Sequence, residues 1–159
     1  MSSKIPLYFH TEESADGKLS IRLYAWIALK SLDGYTAAMV AIADIGAPVS
    51  LFPFRAWGQS AVTLGESSTI PSISGRPECD LDVFHGKITF SVLDEEGQEI
   101  IKDLTIEADL CHTSELPILL GMHHFLSLGR LVMDYPTGEA WLQLQERNDE
   151  QAPVSGKVG

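Results

Sequence analysis

Residues 38–57 read AMVAIADIGAPVSLFPFRAW. An apolar run ends in a carboxylate, Asp44, breaks at Ile45-Gly46-Ala47-Pro48, and gives way to a second apolar run. A helix could absorb the first run, but the Asp33-Gly34 pair before it and the Gly-Ala-Pro punctuation after it leave room for a strand of ordinary length and little more. An ionised group at the end of a buried strand is costly unless something compensates it. The surroundings of Asp44 are therefore the question this chain poses.

Working outward, residues 18–44 read as two apolar, aromatic and β-branched runs joined at Asp33-Gly34, a strong short hairpin signal. Residues 62–64 and 83–93 are again β-rich, and the Gly-, Ser- and Pro-rich stretch between them predicts a mobile loop or hairpin tip. A turn at Glu96-Gly97 leads into IIKDLTIEADL, whose alternation at Ile101, Leu104 and Ile106 suits a half-buried strand. LPILLGMHHFLSLG then predicts a buried run ending at Gly121 and a short helix over residues 122–128, closed by Gly129 as its C-cap. RLVMDYPTGEAWLQL predicts a last hairpin turning at Pro136-Thr137-Gly138. There is no internal repeat. The total is an all-β fold, a small closed β-barrel-like lobe with one short C-terminal helix. Residues 1–17 are left as an edge strand or as a disordered segment, residues 18–145 form the domain, and the polar tail 146–159 is expected to be disordered.

The chain has 159 residues, enough for one domain with a proper core, and its 45% hydrophobic and 21% charged residues are ordinary for a folded globular protein. Eleven Lys and Arg against 22 Asp and Glu give a formal charge of −11, with no basic cluster, which disfavours nucleic acid and anionic lipid as partners. No apolar segment approaches the roughly 18 residues that span a bilayer, and residues 1–14 lack the apolar core of a signal peptide. No membrane span is expected, and the default location is cytoplasmic. Cys79 and Cys111 are too few for a disulfide framework, match no zinc spacing, and read as reduced and mostly packed.

Three separated pieces resemble the retropepsin-like aspartic proteases, in the same order and at comparable intervals over roughly residues 18–144. AIADIGAPVSLFP is similar to the catalytic loop of that family, a strand followed by Asp-x-Gly-Ala. IPSISGRP is similar to its flap, a hairpin tip with a central apolar residue, here Ile73. LPILLGMHHFLSLGRLVMDY is similar to its late apolar strand, Gly and short helix. The resemblance implies a single-lobe, bacterial-style aspartic endopeptidase in which Asp44 is catalytic, Ile45, Gly46 and Ala47 shape the catalytic loop, and Ile70, Pro71, Ser72, Ile73, Ser74 and Gly75 close over a peptide or protein substrate. Only one Asp-x-Gly-Ala is present, so the second carboxylate is expected from a symmetric homodimer. The family usually carries Thr or Ser after the catalytic Asp, and this chain carries Ile45. Where retroviral members often carry Arg after the late Gly, this chain has Met122, with Arg55 or Arg130 as substitutes. No cofactor and no metal are implied.

Other readings stand beside this one. An Asp at a strand end commonly caps its own turn, and residues 70–77 also suit an ordinary exposed loop. Asp134 follows an apolar strand without the right turn spacing, and Asp80, Asp82, Asp94, Asp103 and Asp109 read as solvated. His123 and His124, adjacent on a helix, would point to different faces, unlike an i, i+4 metal pair. Cys111-His112 lacks a local signal for an activated thiolate, and no Gly-x-Ser-x-Gly elbow or phosphate-binding glycine loop occurs. Trp26, Trp57, Trp141, Phe52, Phe54 and Phe125 are assigned to the core or the walls of a cleft. The alternative functions are a catalytically degenerate protease-fold module that binds peptides or only dimerises, and an unrelated small-ligand β-barrel.

Overall fold

A computed structural model of the protein describes residues 4–71, 78 and 80–145. In chain order its elements are β1 (Lys4–Glu13), β2 (Leu19–Ser31), β3 (Gly34–Tyr35), β4 (Met39–Ala43), β5 (Ser50–Phe52), α1 (Phe54–Trp57), β6 (Val62–Ile70), β7 (Leu81–Leu93), β8 (Glu99–Cys111), β9 (Ile118–Leu120), a 3-10 helix (Leu126–Leu128), β10 (Gly129–Asp134) and β11 (Glu139–Leu144). The strands follow one another as β10-β11-β1-β2-β4-β9-β5-β8-β7-β6, and an added β2–β7 pairing closes a six-stranded barrel.

Closure depends on the length of β2. One edge of β2 pairs with β1 from Leu19 to Tyr24, and that edge is then taken over by β7 from Trp26 to Leu29, while β4 holds the other edge from Leu23 to Ile27. β1 likewise divides itself, pairing with β11 over Lys4 to Leu7 and with β2 over Tyr8 to Glu13. The N-terminal residues thus form an inner strand, neither an edge nor a loose segment, because Ile5 and Leu7 bury their side chains in the core.

Alternation on these strands points Ile27, Leu29, Ile88, Phe90, Ile106 and Leu110 inward, around a tilted ring series of Phe52, Phe90 and Phe125. Trp57, on the short helix α1 that sequence patterning did not resolve, is also buried and donates its indole N–H to the Cys111 carbonyl at 2.7 Å. Phe54 is exposed instead, and Trp26 and Trp141 are half-buried, the latter under the Lys4 ammonium at 4.5 Å. Cys111 is buried and free, as expected, whereas Cys79 lies outside the described residues.

Two expectations change. The stretch predicted to be a loop after Leu64 continues as strand to Ile70 and pairs with β7, accommodating a bulge in which Gly65 and Glu66 oppose His85. Residues 122–125 form turns, and only Leu126–Leu128 becomes helical, in 3-10 form. His124, at φ 65°, stops a continuous α-helix, and Leu126 N–H reaches back to the Gly121 carbonyl, a wider span than the α-helical four. Gly129 caps the 3-10 helix as expected, but not in the left-handed conformation of a helix-ending glycine. Its φ of −167° is extended, it begins β10, and a Cβ there would collide with the Gln143 backbone. No helix among the described residues is long and apolar enough to cross a membrane.

A second bulge, where Lys102 and Asp103 oppose Ser91, sets Asp103 at φ 53° and lets its N–H donate to the buried Ser91 hydroxyl at 3.2 Å. The Asp103 side chain, still partly open to solvent, is also engaged by neighbouring side chains. It accepts from the Tyr35 hydroxyl at 2.5 Å and pairs with Lys30 at 3.2 Å, tying the β2–β3 turn to β8. The Tyr35 bond, with Lys30, holds this carboxyl below its ordinary 3.8, and the same bond raises the Tyr35 phenol above 10.0. A depressed folded carboxyl pKa stabilises the native state above the ordinary value and loses that contribution as pH falls through the depressed one. A raised phenol pKa acts the other way, stabilising below 10.0 and fading as pH rises through the folded value. Asp103→Asn, which keeps a side chain tolerant of positive φ, is therefore expected to move the alkaline titration of Tyr35 down toward the ordinary tyrosine range, as read from its ring resonances by NMR.

Candidate functional site

Ala41 and Ala43 bury the inner face of β4, and Asp44 is the next residue along the strand. Its N–H donates to the Leu120 carbonyl at 2.9 Å, one rung beyond the β4–β9 ladder, before the chain turns with Ala47 N–H donating to the Asp44 carbonyl at 3.2 Å. Inside that turn the Gly46 N–H donates to Asp44 Oδ1 at 2.8 Å. A Cβ on Gly46 would sit 3.2 Å from the same oxygen, so glycine lets the amide meet the carboxylate without crowding. Asp44 is half-buried and its neighbour Ile45 is 68% exposed.

β5 returns from this turn without pairing to β4. The space between them is filled by β9, parallel to β4 through Ala43–Leu120 and antiparallel to β5 through Leu51–Leu119. Gly121, at the end of β9, then passes beneath the turn. A Cβ there would fall 2.7 Å from the Ala47 carbonyl oxygen and 2.7 Å from the Val49 carbonyl carbon. The Gly121 N–H donates to the fully buried Ser50 hydroxyl at 2.9 Å, Met122 N–H to the Ala47 carbonyl at 2.9 Å, and His123 N–H to the Pro48 carbonyl at 2.9 Å. Backbone amides and one buried hydroxyl thus hold the Asp44 turn from below. Met122 contributes its amide, and its side chain is exposed. Arg55 reaches the Leu116 carbonyl at 3.3 Å, on the loop that precedes β9.

Of the residues expected to close over a ligand, Ile70 ends β6 and Pro71 follows it, while Ser72, Ile73, Ser74 and Gly75 lie outside the described residues. Ile70 packs with Leu81, Leu116 and Leu119 against a small buried cluster of Leu51, Val83 and Cys111. That cluster joins the β6–β7 hairpin to Leu119 on β9, the strand whose end passes beneath the Asp44 turn.

Two constellations escaped the sequence reading. Ser68 Oγ lies 2.8 Å from His85 Nε2, and His85 Nδ1 lies 2.6 Å from Asp109 Oδ1, so Asp109 is engaged where solvation was expected. Asp82 and Asp94 are also engaged, the first by the Thr69 hydroxyl at 3.0 Å and the second by the amides of Glu96 and Gln98. His123 and His124 do not diverge. The left-handed backbone at His124 stacks their rings at 3.8 Å, and with Glu107 they offer ligand atoms within 4.8 Å of one another. His124 Nδ1 already accepts the Glu107 N–H at 3.1 Å, which occupies the lone pair a metal would need. Neither group has a local sequence signal, since each is assembled from separate strands or from a backbone sign change.

The chain matches no protein-family model and no curated protein.

The clasp around Gly121 can be tested directly. Ser50→Ala leaves the buried Gly121 N–H unpaired and is expected to cost about 1–3 kcal/mol of folding stability. Gly121→Ala forces a methyl into the turn and is expected to cost about 1–3 kcal/mol. Urea unfolding of both variants measures the two losses.

Proposed function

We propose that the chain is a retropepsin-like aspartic endopeptidase that works as a symmetric homodimer, with Asp44 from each subunit flanking one water. The observation that carries this reading is the seating of Asp44: a half-buried carboxylate at the end of an inner strand, one oxygen held by the Gly46 amide, on a turn clamped from beneath by Gly121. In such a pair the two carboxylates cannot both ionise at close range and share a proton. The ionised one takes a proton from the water, and the protonated one donates to the carbonyl oxygen of the scissile peptide as the water oxygen attacks its carbon. Collapse of the tetrahedral species breaks the C–N bond and passes the proton to the leaving amine.

A single chain supplies one such turn, and a two-fold axis through it supplies the other. The exposure of Ile45, beside the half-buried Asp44, supports an interface at this place, because an apolar β-branched side chain of 68% exposure gains from being covered.

Ile45 also favours a second reading. Its side chain has no hydroxyl to bond across the axis, as the usual Thr or Ser would, so a peptide-binding or dimerising module without hydrolysis is the alternative. Cleavage of a mixed peptide library between about pH 4 and 7 separates the two, since the shared-proton mechanism needs one ionised and one protonated carboxylate. The protease reading expects cleavage in the wild type and none in Asp44→Asn, with the dimer retained; cleavage that survives the substitution overturns it, and peptide binding without cleavage selects the module.

Ile45→Thr is expected to tighten the dimer. One restored hydrogen bond per subunit, at roughly 1 kcal/mol each, corresponds to about a tenfold to hundredfold fall in the dissociation constant. Sedimentation equilibrium across the micromolar range reads it.

A further inference from the structure

We propose that Ser68, His85 and Asp109 form a nucleophilic relay, a second reactive site in which Ser68 is the acyl acceptor for neutral carboxylic esters. The three residues come from three adjacent strands, β6, β7 and β8. His85 and Asp109 are direct cross-strand partners, and Ser68 reaches His85 on the diagonal. The β6 bulge makes this possible. Thr63 pairs with Lys87 before the bulge and Ser68 with Val83 after it, so the extra residue brings Ser68, not Ser67, onto the face shared by Val83, His85 and Lys87.

The tautomer follows from the partners. An ionised Asp109 only accepts, so His85 Nδ1 carries the proton toward it at 2.6 Å, and the Nε2 lone pair faces Ser68 Oγ at 2.8 Å. That is a nucleophile bonded to a base and a base bonded to an orienting carboxylate, the arrangement by which such relays are recognised irrespective of chain order. Asp109 is only 14% exposed while His85 is 51% exposed, so the orienting group is shielded and the reacting end is open. His85 and Asp109 line a cleft of about 520 Å³ with Val49, Leu64, Lys87, Glu107 and Ala108, which offers apolar wall for an acyl chain beside the base, while Ser68 reaches His85 from outside that lining.

In the step, Ser68 Oγ bonds to the ester carbonyl carbon as His85 Nε2 takes the hydroxyl proton. The C–O bond to the alcohol then breaks, and the proton on Nε2 leaves with that alcohol. Water, deprotonated by the same nitrogen, attacks the acyl carbon, releasing the carboxylic acid and returning the proton to Ser68. Ser68 and His85 are the catalytic residues; Asp109 is a positioning residue.

Cross-strand polar pairs stabilise a sheet whether or not they react, so reactivity is the readout that decides. The full chain is incubated with a fluorophosphonate probe and, separately, with p-nitrophenyl butyrate, the adduct is located by peptide mass spectrometry, and circular dichroism checks that each variant keeps its strand content. The proposal expects the adduct on Ser68, none in Ser68→Ala, and an undiminished rate in Ser67→Ala, the neighbour on the opposite face. His85→Gln is expected to slow labelling about a hundredfold or more. Asp109→Asn should slow both labelling and ester turnover, and Asp109→Glu should recover part of each. An adduct absent from Ser68, or a labelling rate indifferent to His85→Gln in a folded variant, overturns it.

Discussion

A single hydrogen bond between a backbone amide and a buried hydroxyl, Gly121 N–H to Ser50 Oγ, marks the constraint on which the rest of the molecule depends. β9 runs between two strands that are consecutive barrel elements in the chain, and it can stay there only if the turn joining those strands closes over its end. The turn closes because Gly121 has no side chain, which lets the Ala47 and Val49 carbonyl groups approach to distances that no Cβ would tolerate. Ser50 is fully buried, and its hydroxyl is tolerable in the interior because that amide satisfies it.

Asp44 inherits its position from this arrangement. Its amide extends the β4–β9 ladder and its carboxylate takes the Gly46 amide, so the burial that the apolar run imposes is partial and compensated. The proposed proteolytic chemistry needs such a carboxylate held still and half-dry. The same clasp leaves Ile45 exposed among the described residues.

The two bulges perform the complementary task of re-aiming side chains. At Gly65-Glu66 the shift by one residue places Ser68 on the face of His85, and at Lys102-Asp103 it turns Asp103 toward Tyr35 and Lys30. In a sheet whose side chains alternate with a period of two, one inserted residue exchanges the faces of everything beyond it. A barrel of long, twisted strands therefore acquires polar constellations that alternation alone would have scattered.

The amino-acid sequence by itself determined the all-β class, the turns at Glu96-Gly97 and Pro136-Thr137-Gly138, a hairpin turn within one residue of its place at Leu32-Asp33, the apolar run into Asp44 and the buried run into Gly121. These are local properties, set by turn chemistry and by the period of apolar residues. It did not determine that residues 4–13 become an inner strand, that residues 65–70 pair instead of looping, that His124 adopts a left-handed backbone and stacks on His123, or that Ser68, His85 and Asp109 meet. Each of those depends on which strand lies beside which and in what register. Pairing across the barrel is a choice between edges that look alike in one dimension, and packing of the closed core makes it.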